Sequence, residues 1–126
     1  EGVAFGLKDI FCLMKDAGLA PVEQIRLSGG GAKSSLWRQI LADVFDAELV
    51  TVNTTEGAAF GAALLAGVGA GVWSKVDDAC AQTVFVKDRI VPDAHAVEIY
   101  RAMYAQYKNL YPILKQTFHA LGSMIE

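Results

Sequence analysis

One short segment decides how this chain folds: Leu27-Ser28-Gly29-Gly30-Gly31-Ala32-Lys33-Ser34-Ser35. It lies between a predicted strand at 24–27 and a predicted helix at 34–45. Three consecutive glycines let a ligand reach the main chain with no Cβ in the way, and backbone N–H groups converge there with the positive end of the helix dipole. By itself the segment fits a phosphate- or sugar-binding loop and a tight turn that binds nothing equally well.

The elements on either side predict an α/β fold. Apolar residues at helical spacing predict helices at 3–17, which Gly18 ends, and at 34–45, where five residues should face inward. Those five are Leu36, Ile40, Leu41, Val44 and Phe45. A β-branched strand follows at 48–52, and Asn53, Thr54 and Thr55 are expected to cap an Ala-rich helix at 56–66. The order αβαβα with short connections predicts a parallel sheet covered by helices.

The last third of the chain carries weaker signals and one long helix. Ser74 is expected to cap a short helix that reaches about residue 82, and 84–86 is either a strand or an extended surface segment. Pro92 and Asp93 open a long helix with a Tyr-rich apolar stripe. The stripe comprises Val97, Tyr100, Tyr104, Tyr107, Tyr111, Leu114, Phe118, Leu121 and Ile125. Because its flanks lack paired charges, we interpret it as docking on this chain or on a further part of the protein, and not as a self-paired coiled coil.

Composition excludes several classes of protein. The 126 residues are 53% hydrophobic and 20% charged, with mean hydropathy +0.32 and net charge −3, so a disordered tail and a nucleic-acid-binding protein are both disfavoured. The uncharged stretch 57–73 imitates a membrane span but consists largely of Gly and Ala, and we interpret it as a buried helix pressed onto the sheet. Cys12 and Cys80 are expected to be buried, reduced thiols of a cytoplasmic protein.

The sequence lacks the motifs of several other kinds of functional site. The glycine segment is not a Walker A loop, because Ala32 and Leu27 occupy positions where that motif requires glycine. No cysteine–histidine spacing predicts a metal site. Asp43 and Asp46 are expected to be solvated helix residues, and no catalytic residue is predicted.

Three segments in order resemble the FGGY family of carbohydrate kinases. The first is 27–45, where the glycine segment continues through Trp37-Arg38-Gln39. The second begins Thr55-Glu56-Gly57 and continues to Gly71-Val72-Trp73. The third, Glu1-Gly2-Val3-Ala4-Phe5, resembles the end of another family signature. Finding all three in order is far more specific than finding any one of them.

The resemblance implies the C-terminal part of an actin-like ATPase domain of the ribonuclease H-like type, with a long C-terminal helix. Residues 1–126 would then form a single partial domain, the C-terminal part of the second of two domains. The implied reaction transfers the ATP γ-phosphoryl group to a sugar with Mg²⁺, in a cytoplasmic enzyme. The branch that phosphorylates D-xylulose is favoured, and a gluconate-specific branch is the alternative. The family's general-base aspartate lies upstream of the matching region, so this chain alone is expected to be inactive.

The resemblance also assigns the site and the partners. Gly29, Gly30, Gly31 and Ala32 would lie against ATP or ADP through their backbone, while Ser34 matches a position that is often Asn and contacts the nucleotide. The sugar would be held mainly by the other domain. Neither a membrane nor a nucleic-acid partner is expected. An unpaired strand edge predicts self-association, as a homodimer or larger species. A free-standing interaction module without kinase activity remains the alternative.

Overall fold

The computed structural model describes residues 1–22, 24–54 and 56–124, so the predictions for Thr55 and Ile125 lie outside it. Within these residues five helices accompany a three-stranded sheet. The helices are α1 (Gly2–Asp16), α2 (Ser35–Phe45), α3 (Gly57–Gly69), α4 (Val76–Thr83) and α5 (Ala94–Gly122), and the strands are β1 (Gln24–Leu27), β2 (Glu48–Val52) and β3 (Val86–Ile90). The predicted elements before residue 70 are therefore confirmed to within a few residues.

The sheet has the order β1-β2-β3 and is mixed. β1 and β2 are parallel, with Leu27 beside Thr51, as the sequence predicts. β3 runs antiparallel to β2, with Leu49 beside Ile90, so the parallel sheet predicted from the αβαβα order is confined to β1 and β2. β3 carries three consecutive charged residues at 87–89 and is exposed over most of its length, which is typical of a protected edge strand and gives little hydrophobic signal.

The core lies among α1, α2, the first half of α5 and β2. Its buried residues are Ala4, Phe5, Leu41, Ala42, Val44, Leu49 and Tyr104. The ring of Phe5 lies between 5.4 and 6.1 Å, centroid to centroid, from the rings of Tyr100, Tyr104 and Tyr107. The N-terminal half of the Tyr-rich stripe thus docks on this chain. Tyr111, Leu114, Phe118 and Leu121 remain exposed.

Local capping confirms two predicted helix ends. Gly18 has φ of +96°, and the N–H groups of Gly18 and Leu19 donate to the carbonyl oxygens of Lys15 and Met14, which closes α1. At the start of α5, the Asp93 carboxylate accepts from the Ala96 N–H at 2.8 Å.

Two other predicted caps are wrong. Asn53 does not cap α3; its side chain binds the Thr83 carbonyl and the Phe85 N–H and so fixes the chain that enters β3. Ser74 donates to the Asp78 carboxylate, and Lys75 precedes α4. Asn53 therefore binds backbone groups distant from α3, and Ser74 binds the side chain of Asp78 in place of a backbone N–H of α4.

Three burial predictions are corrected. Leu36 is 70% exposed, because the first turn of α2 carries it away from the core that Leu41 and Val44 enter. Cys12 and Cys80 are free but only half-buried. Asp43 is buried, at 5% exposure, where solvation was expected.

The Ala-rich helix α3 is also not the buried helix that was expected. Its only buried residue is Leu64, and it packs chiefly against α4. The helix also extends through Gly67 to Gly69. Among the described residues no helix combines the length and the apolar character needed to cross a bilayer.

Candidate functional site

The glycine segment forms a tight bend at the carboxyl end of β1. Gly29 has φ of +85° and ψ of −170°, a conformation that residues with a Cβ rarely adopt. Gly30–Lys33 then form one turn of 3-10 helix, in which the Ala32 N–H donates to the Gly29 carbonyl at 3.1 Å. This turn delivers the chain directly into α2.

Ser34 ends the turn and starts α2. Its backbone is extended, and its Oγ accepts from the Trp37 N–H at 3.2 Å, so its hydroxyl oxygen serves as the helix cap. The prediction that Ser34 contacts a nucleotide is not tested by this geometry. The hydroxyl proton remains the part of the side chain that could be donated outward.

The three glycines differ in what surrounds them. A Cβ added to Gly31 would lie 3.1 Å from Cδ1 and Nε1 of Trp37, so the indole ring packs closely against this residue. A Cβ added to Gly30 would meet no atom of the described residues within 4 Å, and its φ is not left-handed. The fold therefore accounts for glycine at positions 29 and 31 but not at position 30, whose surface is open.

A second helix start lies beside this loop. A Cβ on Gly57, the first residue of α3, would lie 3.4 Å from Ser28 Oγ. Thr54 Oγ1 accepts from the Glu56 N–H at 3.2 Å just before α3 begins. The N-termini of α2 and α3 thus both lie near the carboxyl ends of the parallel strands β1 and β2, where α/β folds place their ligands.

A cavity of about 260 Å³ adjoins the loop. It is lined by Leu27, Ala32, Lys33, Arg38, Thr51, Val52, Thr54, Lys87 and Asp88. Of the predicted site residues, Ala32 lies in its wall, whereas the three glycines and Ser34 form the neighbouring loop. Arg38, Thr51, Lys87 and Asp88 were not among the predicted site residues. The last two lie beyond 84–86, the segment that was predicted to be either a strand or an extended surface segment. The run Val86-Lys87-Asp88-Arg89-Ile90 has apolar residues only at its two ends and so carries little signal for a strand.

A polar network fixes one wall of the cavity. Arg38 Nη1 donates to Asp88 Oδ2 at 2.8 Å, and the Thr51 hydroxyl donates to the same oxygen at 3.1 Å. These hydrogen bonds, from Arg38 first and Thr51 second, hold the pKa of Asp88 below its ordinary value of 3.8. The Nε of Arg38 is buried and has no acceptor among the described residues. The guanidinium is therefore held in place while only partly satisfied.

Asp43 does not belong to this site. Its Oδ1 accepts from Gln39 Nε2 and from the Asp93 N–H, both at 2.8 Å, and so ties α2 to the start of α5. Asp46 ends α2 in a left-handed conformation with φ of 54°. Neither Asp43 nor Asp46 is among the residues that line the cavity beside the glycine loop. Within the part of the chain that the structure describes, no group of three or more His, Cys, Asp or Glu side chains could hold a metal ion.

Comparison with known proteins places the chain in a family. A model of the FGGY family of carbohydrate kinases, C-terminal domain, matches residues 1–70. The chain belongs to the FGGY family. The family resemblance, based on three segments found in order, and the actin-like ATPase fold that it implies are both confirmed.

Individual FGGY relatives share the chain's sequence and fold. The chain is 32% identical over 123 residues to the xylulose kinase of Bacillus subtilis (strain 168), covering 98% of this chain and 24% of that protein. It is 29% identical to the gluconokinase of Bacillus licheniformis, covering 98% of this chain and 24% of that protein. The crystal structure of xylulose kinase from Rhodospirillum rubrum superposes with a TM-score of 0.77 and 32% identity, over 93% of this chain and 24% of that one. The chain thus spans about a quarter of the length of these relatives.

Proposed function

We propose that these residues form the nucleotide-binding part of a sugar kinase that transfers the ATP γ-phosphoryl group to a sugar hydroxyl. The observation that carries the proposal is the open face of Gly30, which lies between Gly29, whose φ of +85° favours glycine, and Gly31, which packs against Trp37. A flat main-chain surface beside a helix N-terminus suits a nucleotide, since its phosphates and ribose can lie against backbone N–H groups. Family membership supplies the reaction class.

D-xylulose is the proposed sugar. The support is the identity to xylulose kinases over nearly the whole chain, while the gluconokinase relatives make gluconate the alternative. We propose that the sugar is held mainly by the other domain of the kinase, and that residues 1–126 are a partial domain of the complete enzyme.

The proposed role of this chain in the reaction is positioning. Phosphoryl transfer depends largely on alignment and charge stabilisation, with Mg²⁺ neutralising the phosphate oxygens. Backbone of Gly29, Gly30, Gly31 and Ala32 would lie against the nucleotide, and the Ser34 hydroxyl would donate to it. We assign neither the general base nor a Mg²⁺ ligand to these residues. The chain alone should therefore phosphorylate nothing.

Tryptophan fluorescence tests the nucleotide site directly. Trp37 packs against Gly31, so its emission should change when ATP or ADP covers the loop. Trp73→Phe removes the other tryptophan and leaves Trp37 as the sole reporter. In that background Gly30→Val should lower the affinity for ADP at least tenfold, which is equivalent to about 1.4 kcal/mol of binding free energy. Gly122→Val is the matched control, because its added Cβ also meets no described atom within 4 Å.

Two results would contradict the nucleotide proposal. If ATP and ADP leave the emission of Trp37 and the amide spectrum of the loop unchanged, the glycine segment is only a turn. That result would favour the alternative of an interaction module without kinase activity. If Gly30→Val and Gly122→Val bind ADP equally well, the open face of Gly30 has no role in binding.

An ADP-release assay tests the reaction and the sugar. The chain alone should show no turnover with ATP, Mg²⁺ and either D-xylulose or D-gluconate. A chimera in which it replaces the matching quarter of the Bacillus subtilis xylulose kinase should turn over D-xylulose, and Gly30→Val should raise the chimera's KM for ATP. Sugar-dependent turnover by the chain alone would show that a base has been overlooked.

We also propose self-association, in which the exposed half of α5 is exchanged between copies of the chain and does not pair with another α5 as a coiled coil. Tyr111, Leu114, Phe118 and Leu121 continue the apolar stripe beyond the docked half and are 39–62% exposed. Light scattering should detect dimers or larger species, and Phe118→Glu should shift them toward monomer. A monomer at high concentration in the unsubstituted chain would contradict this proposal.

A further inference from the structure

We propose that the cavity beside the glycine loop is a phosphate-binding site built from Lys33, Arg38 and Lys87. The ligand class is a phosphate dianion, either free, as an ester, or as part of a nucleotide. The proposal stands on the charges and geometry of the cavity and does not require the kinase assignment.

Charge is the first argument. Three cations and one carboxylate line the cavity, which leaves two positive charges in excess on a chain whose net charge is −3. The cations come from three separate elements: the end of the 3-10 turn, the first half of α2, and β3. Lys33 and Lys87 make no ion pair with the other described residues. Convergent unpaired cations repel one another, and an anion between them relieves that repulsion.

Pre-organisation is the second argument. Asp88 holds the guanidinium of Arg38 through Nη1 at 2.8 Å and is itself held by the Thr51 hydroxyl at 3.1 Å. One cation of the site is thus fixed before any ligand arrives, while its Nε has no acceptor in the part of the chain that the structure describes. A guanidinium in a fixed position suits the spacing of phosphate oxygens better than a mobile ammonium does.

Size is the third argument. At about 260 Å³ the cavity lies below the range of pockets that enclose whole organic ligands, and it suits a phosphate group with a few waters. Hydroxyl groups of Thr51 and Thr54 and the apolar side chains of Leu27 and Val52 complete the wall. The group bound here would therefore be a phosphate, with any organic part extending toward the glycine loop.

Nuclear magnetic resonance titration of the ¹⁵N-labelled protein tests the site. Inorganic phosphate, added at constant ionic strength against NaCl, should shift the amides of Lys33, Thr54, Lys87 and Asp88 saturably. Lys33→Gln and Lys87→Gln should each lower the affinity for phosphate about fivefold. This is the effect expected from the loss of one partly exposed ionic contact. Lys115→Gln removes the same charge from the exposed half of α5 and should leave the affinity unchanged. Each variant's own amide spectrum reports whether it is folded.

Adenosine and ADP identify the source of the phosphate. If ADP shifts the cavity and the glycine loop with one midpoint, the site takes the phosphate of the nucleotide. If ADP or adenosine shifts only the loop while phosphate still saturates the cavity, the site takes a separate phosphate or phosphate ester. Both results support the site, and a loop that responds to neither nucleoside nor nucleotide counts against the kinase assignment alone. The site itself is overturned if phosphate moves no cavity amide, or if the two cavity variants bind phosphate as tightly as Lys115→Gln does.

Discussion

Helices α2 and α3 follow the two parallel strands in the same way, yet they are embedded very differently. α2 mixes polar and apolar residues and buries Leu41, Ala42, Asp43 and Val44. α3 contains no charged residue and buries only Leu64. The more hydrophobic helix is the more exposed one, because burial depends on whether large side chains on one face meet a partner. Ala and Gly provide little area to bury.

Shortening one leucine in each helix should give the largest difference. Leu41→Ala removes a side chain that is 2% exposed, and it should lower the free energy of unfolding by about 2–5 kcal/mol. Leu65→Ala in α3, where the side chain is 60% exposed, should change it by less than about 0.5 kcal/mol. Urea unfolding followed by circular dichroism measures both. Equal losses would mean that α3 has a partner in solution that covers Leu65.

Adding a methyl group to α3 should reveal its close contact with Trp73. A Cβ on Gly67 would lie 2.5 Å from the Trp73 ring, so Gly67→Ala must displace that ring and should destabilise by about 1–3 kcal/mol. Gly61→Ala meets no described atom within 4 Å and should instead stabilise by about 0.5–1 kcal/mol through helix propensity. The Tm of Gly67→Ala should therefore fall and the Tm of Gly61→Ala should rise, relative to the unsubstituted chain. A gain for Gly67→Ala would show that Trp73 is not held against α3.

Removing the buried carboxylate of α2 tests its tie to α5. Asp43→Ala leaves the Asp93 N–H without its acceptor and should destabilise by about 1–3 kcal/mol. Asp16→Ala, at the exposed end of α1, is the control and should stay within about 0.5 kcal/mol. Amide exchange at Asp93 should accelerate in the Asp43 variant only. Unchanged exchange there would mean that another group caps this amide.

The smallest effect concerns the pH dependence of Asp88. Because its pKa is lowered in the folded chain, its contribution to stability is present above the ordinary value of 3.8 and is lost as pH falls below it. Arg38→Gln removes the largest cause and should return the pKa toward the ordinary value. The pKa of Asp88 is measured in both proteins from the side-chain carboxyl resonance during an acid titration. An unchanged pKa in the variant would show that Arg38 and Asp88 are not paired in solution.

Prediction from the sequence succeeded where the signal was local. The strands at 24–27 and 48–52, the cap at Asp93 and the end of α1 at Gly18 each follow from residues within one turn or one strand. The bounds of β3 and the burial of Asp43 were not predicted, because the partners of both are distant in sequence. β3 is defined by its pairing with β2, and Asp43 is buried by the start of α5, 50 residues away.

The sequence by itself determined the glycine loop, its place between a strand and a helix, and the family to which it belongs, because these depend on backbone freedom and residue order. Only the tertiary structure decided which of the three glycines faces open space, since that depends on where Trp37 packs. It also decided that Lys33, Arg38 and Lys87 share one cavity. Residues from separate elements meet only when those elements pack, and no local pattern encodes that meeting.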